Sequence, residues 1–170
     1  MLRLHVALAV VLVGLASGPA SAAPLNNARL RPQSPRITAW LAHGLERSAT
    51  MRDLADRIEQ SDVVVYMAIE RGLGPGVSAC VTWMASVPGM RYLRISVRPD
   101  LHLAEAVAML AHELQHVVEV IEHPDVQSND DLAALYQRIG HRTGYTWRAW
   151  DTVAALRAGD LARTELVGGV

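Results

Sequence analysis

Apolar residues recur through the middle of the chain at helical spacing. Leu103, Val107, Leu110, Leu114, Val117 and Ile121 follow i, i+4, i+7 steps. No Gly or Pro interrupts residues 100–122, and Pro99 and Pro124 bracket them. This pattern predicts one long helix with a buried stripe. His112 and His116 fall on nearly the opposite side, where Met109 and Val120 add apolar surface. The helix therefore reads as covered on two sides: one face on a core, the histidine face toward a second layer.

The flanking pattern supplies the other elements. Residues 38–60 read as helical, in two pieces broken near 48–50, with Leu54 and Ile58 as an apolar edge. Residues 62–69 are β-branched and apolar, as in a buried strand. Gly72, Gly74, Pro75 and Gly76 mark a loop. Residues 78–87 and 91–97 flank Pro88-Gly89-Met90 and read as a hairpin, with Tyr92, Arg94, Ser96 and Arg98 alternating against Leu93, Ile95 and Val97. Ser128, with Asp131 three residues later, opens another helix whose apolar side is Leu132, Leu135, Tyr136 and Ile139. Residues 140–144 break it, and a last helix is expected over 146–157. The order implies an α+β fold: an N-terminal helix, about three mostly antiparallel strands, the long helix, then C-terminal helices.

The first residues read as a targeting segment. Arg3 precedes an apolar run over 6–15, and Ala20-Ser21-Ala22 forms an Ala-x-Ala site. Residues 1–22 are thus expected to be a secretory signal peptide, with export to the periplasm or the exterior. Residues 23–37, rich in Pro, Asn, Arg and Ser, read as a loose leader, and 38–170 as one domain. No later segment is long and apolar enough to cross a membrane. With 16 basic and 17 acidic residues, the balance argues against a dedicated nucleic-acid binder. The single cysteine, Cys80, rules out an intrachain disulfide. It lies in an apolar stretch, as a buried inert thiol would. Arg91, Arg94 and Arg98 place positive charge on one side of the hairpin, by default a solvated face.

Residues 111–116 read Ala-His-Glu-Leu-Gln-His, so His112, Glu113 and His116 form a His-Glu-x-x-His motif. On a helix, i and i+4 stand one turn apart on one face, where two imidazoles can reach one zinc ion. Glu113 beside them is placed to act as a general base. The order of elements, with this motif on the helix after the strands, resembles the zincin metallopeptidases. It is nearest to small single-domain members of the gluzincin type. The resemblance implies Zn2+ on the two histidines, Glu113 as base, and a third ligand from a later helix. It also implies an extended peptide or protein substrate added to an edge strand, here 78–87 or 91–97.

The third ligand stays open. Glu122 occupies the metzincin ligand position, but Glu119 stands where that pattern needs the turning glycine. Glu119 shares the histidine face about 10 Å along the axis from His112, which suits a supporting role better than ligation. Asp151 is preferred: with Trp147, Trp150 and Ala154 it would share one face of the last helix, where a carboxylate is costly to bury unpaired. Asp130, Asp131, His123 and His141 complete the alternatives. Tyr136, Tyr145 and His141 are candidate oxyanion donors, with ordinary packing the simpler reading. Two rivals accompany the peptidase reading: a non-catalytic binding module on the same scaffold, and a closed structural zinc site.

Overall fold

A computed structural model describes residues 28–142 and 150–168. The expected signal segment, residues 23–27 of the leader, and Tyr145 and Trp147 lie outside the described residues. The order is β1 (Leu30–Pro32), α1 (Pro35–Arg47), α2 (Ala49–Glu59), β2 (Val63–Ile69), β3 (Ala79–Val87), β4 (Met90–Val97), α3 (Leu103–Ile121), α4 (Asn129–Ile139), β5 (His141–Arg142), β6 (Trp150–Asp151) and α5 (Val153–Gly168). The fold is α+β.

The strands correct the expectation of about three, mostly antiparallel. The main sheet has four in the order β1-β2-β4-β3, and β5 with β6 forms a second, two-stranded sheet. The β1–β2 and β2–β4 ladders are parallel; only β3–β4 is antiparallel. β1 escaped the sequence pattern because it has three residues and ends in Pro32. It lies in the supposed leader, and α1 begins at Pro35, so the ordered domain starts ahead of residue 38. The uninterrupted apolar run of β2 fits its position between two parallel neighbours.

The split in the N-terminal helical region occurs where expected. Ser48 ends α1 and caps α2, its hydroxyl accepting from Met51 N at 3.0 Å. The helices cover the sheet face built from Leu30, Val63, Val65, Met67, Leu93, Ile95 and Val97, all buried. α3 lies in that layer and contributes Val107, Leu110, Leu114 and Val117 to the core. α5 packs across its outer side. The approach is close: a Cβ on Gly159 would stand 3.1 Å from Ala108 O and 3.5 Å from His112 Cβ. At its far end α5 is tied down by Glu165, which accepts from Ser48 Oγ, Thr50 N and Thr50 Oγ1 at the α1–α2 junction.

The hairpin arginines do not form a positive strip. Arg91 is buried and forks onto Asp62, while its Nη1 donates to Val120 O and His123 O at the end of α3. Arg98 pairs with Asp100. No described helix is long and apolar enough to cross a membrane.

Candidate metal centre

Two elements build the site. The regular helix α3 sets His112 and His116 one turn apart, as their spacing requires. Asp151 arrives from β6, immediately before α5. This corrects its expected place on a helix spanning 146–157: α5 starts at Val153. One ligand atom from each of His112, His116 and Asp151 lies within 4.8 Å of the others, so the group could hold a metal ion. Asp151 Oδ1 stands 3.3 Å from His112 Nε2 and 3.6 Å from His116 Nε2. Ligand atoms around a tetrahedral ion with bonds near 2.0–2.1 Å are separated by about 3.4 Å. The donors therefore fit a small divalent cation.

A buried network holds two of these ligands. Glu119 Oε2 accepts from His116 Nδ1 at 2.8 Å, and its Oε1 accepts from Thr152 Oγ1. A carboxylate only accepts, so the proton sits on His116 Nδ1, and Nε2 points toward Asp151. The Thr152 hydroxyl also accepts from Ala155 N at 3.0 Å, capping α5. Thr152 N donates to Asp151 Oδ1 at 2.7 Å. One carboxylate thus orients an α3 ligand and anchors the residue next to the β6 ligand. Tyr136 packs its ring edge-on against His116, with centroids 4.9 Å apart, and donates from its hydroxyl to His116 O at 3.1 Å. It is a packing residue, not a free oxyanion donor.

Gly140 closes the other side. A Cβ there would lie 2.7 Å from both Asp151 O and Tyr136 O. The glycine is what lets α4 and β6 approach.

The electrostatics follow from burial and charge. Glu113 is buried, and burial pushes its carboxyl above the usual range; the histidines His116 and His112 and the neighbouring Val81 N–H offset this only in part. Burial alone would lower the His116 pKa, but the Asp151 and Glu119 carboxylates beside the ring outweigh it and raise it to about 9. For Asp151, burial opposes ionisation, yet the His112 and His116 imidazoles beside it hold its carboxyl well below the usual range. The Asp151 carboxylate with the two imidazoles, beside the Glu113 and Glu119 carboxylates, is a cluster that a cation would stabilise.

The other candidates are not members of this three-residue group. Glu122 is exposed and pairs with Arg57. His123 Nδ1 lies 2.7 Å from Glu119 O. Asp131 accepts from Ser128 Oγ and Gln127 N, and Asp130 is exposed. His141 is exposed on β5 although it is in register with Asp151. Cys80 is half-buried, and burial, with the nearby Glu113 and Glu70 charges, pushes its thiol up to about 11. Sequence reasoning missed Thr152, Gly140 and Asn129, whose side chain accepts from Trp83 N on β3. Two surface depressions, about 450 Å3 beside the β3–β4 turn and about 410 Å3 near Leu73 and Pro99, contain no residue of the cluster. No protein-family model, curated protein or solved structure matches the chain.

Proposed function

We propose that this chain is an exported zinc-dependent peptidase-like hydrolase of zincin type, with zinc held by His112, His116 and Asp151. The carrying observation is the convergence of three nitrogen and oxygen donors from α3 and β6, with the buried Glu113 on the same helix. Three such ligands are typical of catalytic zinc, which keeps a position for water or substrate, whereas structural zinc is closed by four. The described cluster has three members, which favours a catalytic site over the structural one.

When bound, zinc would supply Lewis acidity toward a peptide carbonyl and toward water. Glu119 keeps the His116 ring oriented with Nε2 turned toward Asp151. Glu113 takes the proton of the attacking water on its carboxylate and returns it to the departing amine. Burial raises its pKa, which favours its holding that proton. β3 is an edge of the main sheet and β4 is internal, so of the two candidate strands only β3 has an unpaired side to which an extended peptide could add.

The first test is metal content by mass spectrometry on wild type, His116→Ala and Asp151→Ala. Near-stoichiometric zinc in wild type and loss in both variants is expected, with peptide cleavage abolished in Glu113→Gln while zinc is retained. Wild type that takes up no zinc on reconstitution would sink the reading. Zinc-loaded wild type that cleaves nothing in a broad peptide library would leave a binding module as the better account.

A further inference from the structure

Thr152 is buried and joins β6 to α5. Helix N-termini favour a hydroxyl at this place because its oxygen satisfies an orphan N–H of the first turn. Thr152 does so by accepting from Ala155 N at 3.0 Å. A hydroxyl also has one proton to donate. At α4 the cap keeps that proton local: Ser128 Oγ donates to Asp131 Oδ2, three residues on. The corresponding residue of α5 is Ala155, whose side chain has no acceptor. The Thr152 proton goes instead to Glu119 Oε1 on α3, 33 residues away in the chain.

Glu119 is buried, and its two oxygens are divided between two partners. Oε1 accepts from Thr152 Oγ1, and Oε2 accepts from His116 Nδ1 at 2.8 Å. A buried carboxylate oxygen left without a donor is costly, so the group turns to regain one. The hydroxyl therefore holds the carboxylate, and the carboxylate holds the His116 ring. The backbone of the same residue acts on the other element. Thr152 N donates at 2.7 Å to Asp151 Oδ1, the oxygen that lies 3.3 Å from His112 Nε2 and 3.6 Å from His116 Nε2. Thr152 O accepts from Leu156 N at 3.1 Å in the first turn of α5.

We infer that Thr152 is a positioning residue of the metal centre. Its amide fixes the carboxylate of Asp151, and its hydroxyl fixes the ring of His116 through Glu119. Ligands from β6 and α3 are thus held in one mutual geometry by a single residue, which also starts α5. The inference rests on the metal-site reading above for its ligand, and on these hydrogen bonds for its geometry. The rival account is a plain helix cap, whose loss lowers stability and leaves metal affinity as it was.

Zinc affinity is measured by competition with a chromophoric chelator on wild type, Thr152→Val, Thr152→Ser and Ser128→Ala, with folding followed by circular dichroism. Valine keeps the shape and removes the hydroxyl, and is expected to weaken zinc binding about 10- to 100-fold. Serine keeps both hydrogen bonds and is expected to keep the affinity. Ser128→Ala removes a helix cap outside the cluster and is expected to lower stability alone. Thr152→Ala is run beside valine, so that one misfolded variant does not stop the test. In a Glu119→Ala background Thr152→Val should add less than about twofold, because the hydroxyl acts through that carboxylate. Wild-type affinity in folded Thr152→Val, no rescue by serine, an equal loss in Ser128→Ala, or the full loss repeated without Glu119 would each overturn the inference. A second readout needs no metal: the His116 Nδ1 proton, buried and hydrogen-bonded, is followed by NMR as it exchanges with solvent. Thr152→Val is expected to speed that exchange about tenfold or more, and Thr152→Ser to leave it slow. Wild type that takes up no zinc would sink the metal-site reading and leave this measurement to decide. Equal exchange in wild type and Thr152→Val overturns the inference.

Discussion

Gly140→Ala tests whether the close approach of α4 and β6 is what positions Asp151. Gly140 has φ −98° and ψ 178°, an extended conformation open to alanine, so the backbone adds no strain. The effect is steric alone. The new Cβ would stand 2.7 Å from Asp151 O on β6 and from Tyr136 O on α4, against an ordinary contact of 3.4 Å or more. Both neighbours are backbone atoms, so no side chain can swing away. If β6 moves alone it must retreat by about 0.7 Å, against a tolerance of roughly 0.2 Å in metal–ligand distances. Disturbing the supports of a metal ligand typically costs 10- to 100-fold in affinity, about 1.4–2.7 kcal/mol. Overpacking should also lower stability by about 1–3 kcal/mol. Zinc affinity is measured by competition with a chromophoric chelator, and folding by circular dichroism. Gly74→Ala is the control, because its nearest neighbour would be 4.0 Å away. A folded Gly140→Ala protein that binds zinc as tightly as wild type would refute the reasoning.

Three further outcomes are expected. Glu119→Ala should weaken zinc binding about 10- to 100-fold while Glu122→Ala, whose partner is Arg57, leaves it unchanged; equal affinities in the two would remove Glu119 from the support of the site. Zinc uptake should release a proton from His116, whose metal-free pKa is about 9, so affinity should rise with pH up to that value; calorimetry in buffers of different ionisation enthalpy measures the release, and a pH-independent affinity between 6 and 8 would contradict it. Asp62→Asn should cost roughly 1–3 kcal/mol at pH 7 by leaving the buried Arg91 guanidinium without its carboxylate. The Arg91 hydrogen bond is the largest influence on Asp62 and lowers its pKa, so this stability is present above the unfolded value and lost as pH falls through the folded one; denaturant titrations of the two proteins should converge in acid.

The parts of the fold that were legible in the sequence are those where one element carries its own signal. The stripe on α3 from Val107 to Val117 (its expected first member Leu103 is exposed), the Ser48 break, the β-branched run of β2 and the Ser128 cap each depend on neighbours a few residues away. The parallel pairing of β1 and β2 depends on a contact across the whole α1–α2 crossover, and a three-residue strand ending in proline leaves no periodic trace. The site divides in the same way. His112, Glu113 and His116 are fixed by helical spacing. Asp151 was reached by an argument about burying a carboxylate on a helix; the residue is in place, but on a strand, because Thr152 caps α5 only after it. Glu119 was legible as a supporting residue, being three positions after His116. Its second partner, Thr152, is a tertiary contact that no local pattern announces.

The clasp of Glu165 on Ser48 and Thr50 has a consequence for how the protein comes into being. Synthesis proceeds from the N-terminus, so His112 and His116 are made well before Asp151 and before the helix whose end is fastened by Glu165. Until then a nascent chain offers a metal ion only two imidazoles and no carboxylate to complete the set. The complete donor set, and with it any hydrolytic competence, waits until residues 151–165 have been made and folded back onto α3.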